Sequence, residues 1–286
     1  MVWYRSPHRL LVSLPLVWAA FSVEAASALA PETLSLWLHQ GTPVQLLDAR
    51  PHQAYLQGHR QRAISFDVED TYRQDQGVWL AKSISAMTQE IRRRGLALGQ
   101  TIVVYDDGLL MDAARLAWVL ELYGLNQVHI LVDDMESTEL SKEVVTPRSS
   151  SYVPALNPDV LINARMTLLA GHNPGFGVVD IRGEDHFLGK ASETHKFGHI
   201  PGAINIPMDK FFYPDDEQQL RLRSWEELMA LFQGLDPSKR YITYCYKGKA
   251  STLGYFLMQQ SGLRVTHYDG SWLDWSQRDL PVERPE

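Results

Sequence analysis

One plan is written twice along this chain of 286 residues. Asp48-x-Arg50 is answered by Asp180-x-Arg182. Gly58-His59, four residues before Ala63, is answered by Gly198-His199, four residues before Ala203. Tyr105-Asp106 is answered by Tyr244-Cys245. In the first copy an amphipathic stretch at 34–38 precedes short β-branched or apolar runs at 44–47, 63–66, 102–105 and 128–132. Helical spacing fills 83–94 and 113–123, closed by Gly95 and Gly124. In the second copy the runs are 177–179, 204–206, 241–244 and 265–268. A capping-box pattern, Ser224-x-x-Glu227, opens a helix through residue 232. Such a repeat of about 120 residues restricts the chain to a duplicated α/β unit. Strands that alternate with helices predict a mainly parallel sheet flanked by helices in each copy. The expected division is a first domain over 31–135, a linker over 136–158 rich in Ser, Thr, Pro and charge, and a second domain over 159–284.

The copies differ where chemistry is expected. Ligands in parallel sheets bind beyond the carboxyl ends of the strands. Cys245, the only cysteine, stands at such an end, after the 241–244 run. Lys247, Gly248 and Lys249 follow, then Leu253, Phe256, Leu257 and Gln260 at helical spacing, with Gly262 closing the helix. A loop between a strand end and a helix start offers unpaired N–H groups and the positive end of a helix dipole to an anion. Two lysines add to that field, and the environment suits a reactive thiolate. The competing reading is a buried cysteine acting as a small hydrophobe. Asp106 takes the thiol's place in the first copy, so that half is expected to be inactive, a scaffold and a wall for the site.

The first 28 residues have the layout of a secretory signal peptide. Arg5, His8 and Arg9 precede an apolar run at 10–23, and Val23-Glu24-Ala25 and Ala26-Ser27-Ala28 both fit a small-residue cleavage site. The apolar run is shorter than the roughly 20 residues of a membrane span. Export to a periplasmic or extracellular location is therefore expected, with membrane association only if the segment stays uncleaved. A single cysteine in an oxidising compartment has no partner within its chain, which favours a working thiol or a buried one. The net charge of −7 argues against a nucleic-acid partner.

Together these residues resemble the tandem rhodanese family, the thiosulfate and 3-mercaptopyruvate sulfurtransferases, over roughly residues 31 to 284. The resemblance rests on Asp180-x-Arg182, on Gly198-His-Ile-Pro-Gly-Ala203-Ile-Asn, on the loop Cys245-Tyr-Lys-Gly-Lys-Ala250, and on Tyr268-Asp-Gly-Ser-Trp272-x-x-Trp275. It implies two tandem rhodanese-like domains, a catalytic Cys245 that carries a persulfide, and an inactive first domain. No cofactor and no metal are expected. The partners implied are a small anionic sulfur donor and a thiophilic acceptor, cyanide or a thiol. The loop with Tyr246, Gly248, Ala250 and Ser251 is expected to wrap its N–H groups round the sulfur, as an oxyanion hole receives developing charge. Ser251 is further expected to cap the helix. Asp180 and Arg182 are expected to form an ion pair bracing the loop.

Lys247 and Lys249 are the candidates for holding the donor. The thiosulfate-preferring branch looks like Cys-Arg-Lys-Gly and the mercaptopyruvate branch like Cys-Gly-Ser-Gly, so this loop is nearer the first. Family members often carry a substrate-binding arginine four residues after the Arg of Asp-x-Arg. His186 stands there instead, and neutral imidazole is a poorer anion ligand. His199 is expected to be a hydrogen-bonded turn residue, and Trp272 and Trp275 packing anchors. Three other readings compete. A cysteine phosphatase needs arginine six residues after the cysteine, where this chain has Ser251. A metal site at His195-x3-His199 is opposed by Gly198 and Pro201. A persulfide carrier without turnover shares every feature of the enzyme reading.

Overall fold

A computed structural model describes residues 25–133, 135 and 139–284. The proposed leader, residues 1–28, lies outside this range except for its last four. Two five-stranded sheets, every strand pair in them parallel, form the framework. The first is ordered Ser27–Leu29, Val128–Leu131, Thr101–Tyr105, Val44–Asp48, Ile64–Ser65. The second repeats the order with Leu161–Ile162, Arg264–Tyr268, Arg240–Tyr244, Phe176–Asp180 and Ala203–Asn205. The register repeats too: Asp48 lies opposite Tyr105 and Asp180 opposite Tyr244. The first sheet begins at Ser27, upstream of the expected domain start at residue 31.

The central strands are short apolar runs because both of their faces are covered. Val103, Val104, Thr243 and Tyr244 are all buried. The helices Met111–Leu122 and Ala250–Gln260 follow the two central strands and pack on each other. Each is apolar almost all round because it is buried between the two halves. Their side chains merge both domains into one core that includes Trp118, Leu120, Tyr255, Phe256 and the Cys245 side chain. The helix Ile84–Arg93 is capped by Ser83, and Ser224 with Glu227 forms the expected capping box. The helix after Ser224 runs Trp225–Ala230, shorter than expected, and turns carry the chain past buried Phe232.

Residues 139–157 form a strap across the first domain. Leu140–Ser141 pairs antiparallel with His59–Arg60, Ser150 N–H donates to Arg92 O, and Asn157 N–H donates to Leu122 O. Two hairpins complete the arrangement. Tyr72–Asp75 with Val78–Ala81, from the first half, reaches the Cys245 loop at Lys247 through Trp79 and the segment behind it at Asp269 through Ala81. Phe212–Pro214 with Leu220–Leu222, from the second half, walls a cavity of ≈ 410 Å³ whose other side is Asp107, Gly108 and Leu109. Each half thus leans a hairpin over the other's loop. Among the described residues no helix is long and apolar enough to cross a membrane.

Candidate active site

The strand ends at Tyr244, the helix starts at Ala250, and Cys245 opens the loop between them. Its side chain is 5 % exposed. Gly248 N–H donates to Cys245 Sγ at 3.2 Å and Ser251 Oγ–H donates at 3.1 Å. The sulfur therefore faces hydrogen-bond donors rather than hydrocarbon alone. The expected ring of amides contracts at the sulfur to one amide and one hydroxyl. Ser251 lies one residue inside the helix and gives its proton to sulfur; the helix N-cap is Lys249, with no side-chain cap. Gly248 holds φ +80°, and a Cβ there would meet Asp269 O at 2.4 Å, so both backbone and space demand glycine.

The loop is clamped from behind by 268–273. Ser271 Oγ–H donates to Tyr268 O, and its oxygen accepts Cys245 N–H at 3.2 Å. Trp272 N–H donates to Cys245 O and Leu273 N–H to Tyr246 O. Ser271 adopts φ +53°, an uncommon conformation for a residue with a side chain.

The first domain holds the loop as well. Arg115, on the helix Met111–Leu122, is fully buried and donates to Gly248 O at 3.2 Å and to Asp269 Oδ1 at 2.5 Å. Its guanidinium lies over the rings of Tyr72 and Trp118. Burial lowers and Asp269 raises the Arg115 pKa, and the balance is upward, so the cation persists. Asp269 also accepts Ala81 N–H at 2.7 Å. His267 lies 3.8 Å from Asp269, and burial brings its pKa down to about 4, which keeps it neutral.

Asp180 and Arg182 pair as expected, at 2.6 Å, but brace the strand end rather than the loop amides. Tyr244 O–H donates to Asp180 Oδ2 at 2.6 Å and its oxygen accepts Ile200 N–H, while Arg182 reaches Gly198 O and covers the Trp272 ring. The first copy repeats the hydrogen bonds with Asp48, Arg50, Tyr105, Arg60 N–H and Gly58 O. His199 is hydrogen-bonded as expected, through Nδ1 to Phe187 O, and stacked on the Phe187 ring, but it lies in an antiparallel bridge with Glu283 rather than in a turn. Trp272 and Trp275 are buried anchors.

The three donor candidates have different neighbours. Lys249 Nζ is paired with Asp112 of the first domain, which turns an expected substrate cation into a bolt between the halves. Lys247 is exposed, with its ammonium 5.9 Å from the Trp79 ring and 5.8 Å from the Tyr246 ring, and has no carboxylate partner among the described residues. Tyr246 is half-buried, and burial and the Glu193 carboxylate raise its pKa. His186 is half-buried on the one-turn helix Glu184–Phe187. Among the described residues no cluster of His, Cys, Asp and Glu is arranged to hold a metal. The expected site residues omit Arg115 and Trp79, and include Asp269 and Ser271 only within the Tyr268-Asp-Gly-Ser-Trp272 motif, without a role. Arg115 did leave a signal: it is the one cation of the helical run 111–122, between Ala114 and Leu116.

Fold and site define a two-domain α/β protein with one thiol cradled at a strand-to-helix loop. A model of the rhodanese-like domain matches residues 30–139 and 166–278, and the chain belongs to that family. Its relatives are sulfurtransferases. The 3-mercaptopyruvate sulfurtransferase of Escherichia coli strain K12 is 28% identical over 265 residues, covering 84% of this chain and 92% of that protein. A putative thiosulfate sulfurtransferase of Mycolicibacterium smegmatis is 31% identical over 252 residues, covering 80% and 87%. The crystal structure of SseA from Escherichia coli, described as a 3-mercaptopyruvate sulfotransferase of rhodanese fold, superposes with a TM-score of 0.71 at 25% identity, covering 87% and 99%.

Proposed function

We propose that this enzyme moves a sulfane sulfur from a small anionic donor to a thiophilic acceptor through a persulfide on Cys245. The observation that carries this reading is the pair of donors, Gly248 N–H and Ser251 O–H, aimed at one sulfur at the mouth of a strand-to-helix loop. In the first step the Cys245 thiolate attacks the outer sulfur of thiosulfate, the S–S bond breaks, and sulfite leaves with the electron pair. In the second step cyanide or a thiolate attacks the outer sulfur of Cys245–S–S⁻, forms its own bond to that sulfur and returns the thiolate. This is double displacement through a covalent enzyme. Donors in the loop stabilise negative charge on sulfur in both states.

Lys247, beside Trp79 and Tyr246, supplies the attraction for the donor anion. With Lys249 held by Asp112 and His186 in place of an arginine, the site offers less positive charge than the loop sequence suggests. 3-Mercaptopyruvate, a monoanion that would leave as pyruvate, is the second donor reading, favoured by the Escherichia coli relative. Export of the chain by its first 28 residues is part of the same proposal, supported by their charge and hydropathy pattern.

Cys245→Ser should abolish thiocyanate production from thiosulfate and cyanide. Intact mass after donor alone should rise by one sulfur atom in the parent and stay unchanged in the variant. A variant with more than a tenth of parental turnover would sink the assignment. A persulfide that forms once without steady turnover would leave only a carrier.

A further inference from the structure

Glu121 is a buried carboxylate with an unusual set of neighbours. It lies on the helix Met111–Leu122 and is 1 % exposed. One oxygen accepts Tyr255 O–H at 2.9 Å, from the helix Ala250–Gln260. The other accepts Ala26 N–H, at the entrance to the strand Ser27–Leu29. No cation pairs with it among the described residues. An ionised carboxylate held only by neutral donors in such a place is costly, and burial raises the Glu121 pKa to about 7.

The missing counter-charge is one peptide bond away. The sequence Val23-Glu24-Ala25 has the small residues of a leader cleavage site, and a cut there would turn Ala26 N–H into an α-ammonium. That group would sit on Glu121. Ala25 is exposed, so removing it opens the remaining ammonium hydrogens to water. The other candidate cut, after Ala28, would remove two of the three residues of the edge strand. It would also remove the Ser27 Oγ bond to His129 Nδ1, at 2.7 Å. Gln260 would lose both of its bonds to this strand, the one it receives from Ala28 N–H at 3.0 Å and the one it donates to Ala26 O at 2.8 Å.

We infer that the chain is processed between Ala25 and Ala26, and that the new terminal ammonium pairs with Glu121 to lock the first strand against both central helices. The inference rests on the export reading for the cut, while its second half is read from stability and not from sulfur transfer. The groups bonded to Glu121 are Tyr255 from one helix and Ala26 at the entrance to the strand; Gln260 donates to Ala26 O, and Gln259 and Arg240 act on Tyr255.

The full chain is expressed with its own leader in a bacterial host, and the exported protein's N-terminus is read by mass spectrometry. Ala26 is expected; Leu29, or an unprocessed chain, overturns the cut. A chain starting at Ala26 is then compared in Tm with one carrying a single extra residue ahead of Ala26, each with Glu121 and with Glu121→Gln. The free terminus should raise Tm by about 5 °C with Glu121 present and by nothing measurable in Glu121→Gln. An equal gain in both backgrounds, or none in either, overturns the ion pair. The pH dependence gives an independent reading. A buried acid with a raised folded pKa loses stability as pH climbs from its ordinary 4.5 through about 7. That loss should be visible in the extended chain and reduced in the chain starting at Ala26.

Discussion

Cys245 is positioned by residues far from it in sequence. Ser271 takes its N–H, Trp272 takes its carbonyl, and Arg115 holds Gly248 O from another domain. The residue types that the chemistry itself demands were legible: the thiol, the glycine at positive φ and the Asp180–Arg182 pair each have few substitutes. The clamping residues were not, because a buried Asp or Ser in a loop acquires meaning only from partners distant in sequence: Cys245 N–H for Ser271, and Arg115 and Ala81 of the first domain for Asp269. Lys249 shows the same limit, since its spacing fits a donor anion but Asp112 lies nearer. Lys247→Ala should raise KM for thiosulfate severalfold while leaving kcat within about twofold, because it removes charge attraction felt equally in ground and transition states. Steady-state kinetics at two ionic strengths would test this, and an unchanged KM would remove Lys247 from the donor site. Gly248→Ala forces a Cβ into Asp269 O at 2.4 Å and should cost more than tenfold in kcat.

At the scale of elements, the Asp106 loop is filled by its own side chain. Its carboxylate accepts the N–H groups of Gly108, Leu110, Asp112 and Ala113, so it fills its own loop with the negative charge a substrate would bring. Burial raises its pKa to about 7. Asp106→Ala would orphan four amides and should lower Tm by several degrees, since each unsatisfied buried group costs about 1–3 kcal/mol. Activity per folded molecule should persist. A hundredfold loss with Tm unchanged would place Asp106 in the chemistry. The inner strands and the helices after them could be read from hydrophobic period and closing glycines, because their patterns are local; the short opening strands Ser27–Leu29 and Leu161–Ile162 and the helix Ala164–Gly171 could not. Residues 139–157 could not. Their Ser and Pro content reads as a tether, yet the backbone bonds to Arg92 and Leu122 make them a belt, and those partners are distant in sequence.

Across the whole molecule, Arg115 makes the first domain part of the active loop's support. Arg115→Met should lower kcat at least about tenfold, with thiosulfate KM changing less, because Gly248 loses its anchor and Asp269 is left without its cation. Breaking a buried pair by removing one partner costs about 3–5 kcal/mol. Arg115→Lys should recover part of the rate. If Met and Lys variants fall equally, or if only Tm falls while kcat is kept, the residue serves packing alone. The single-sequence reading expected a scaffold and a wall from this half; it carries in addition a cation and a hairpin that touch the loop from the far side.

The strand order has a consequence for how the polypeptide is made. In each sheet the opening strand pairs with the closing one, Ser27–Leu29 with Val128–Leu131 and Leu161–Ile162 with Arg264–Tyr268. A nascent chain therefore cannot finish its first sheet until residue 131 has left the ribosome tunnel, nor its second until residue 268 has. Loop-closure entropy favours such late, end-to-end pairing least of all. Cys245 precedes Tyr268 and Ser271 in the chain, so its loop cannot be clamped until the last strand of the second sheet is free to pair.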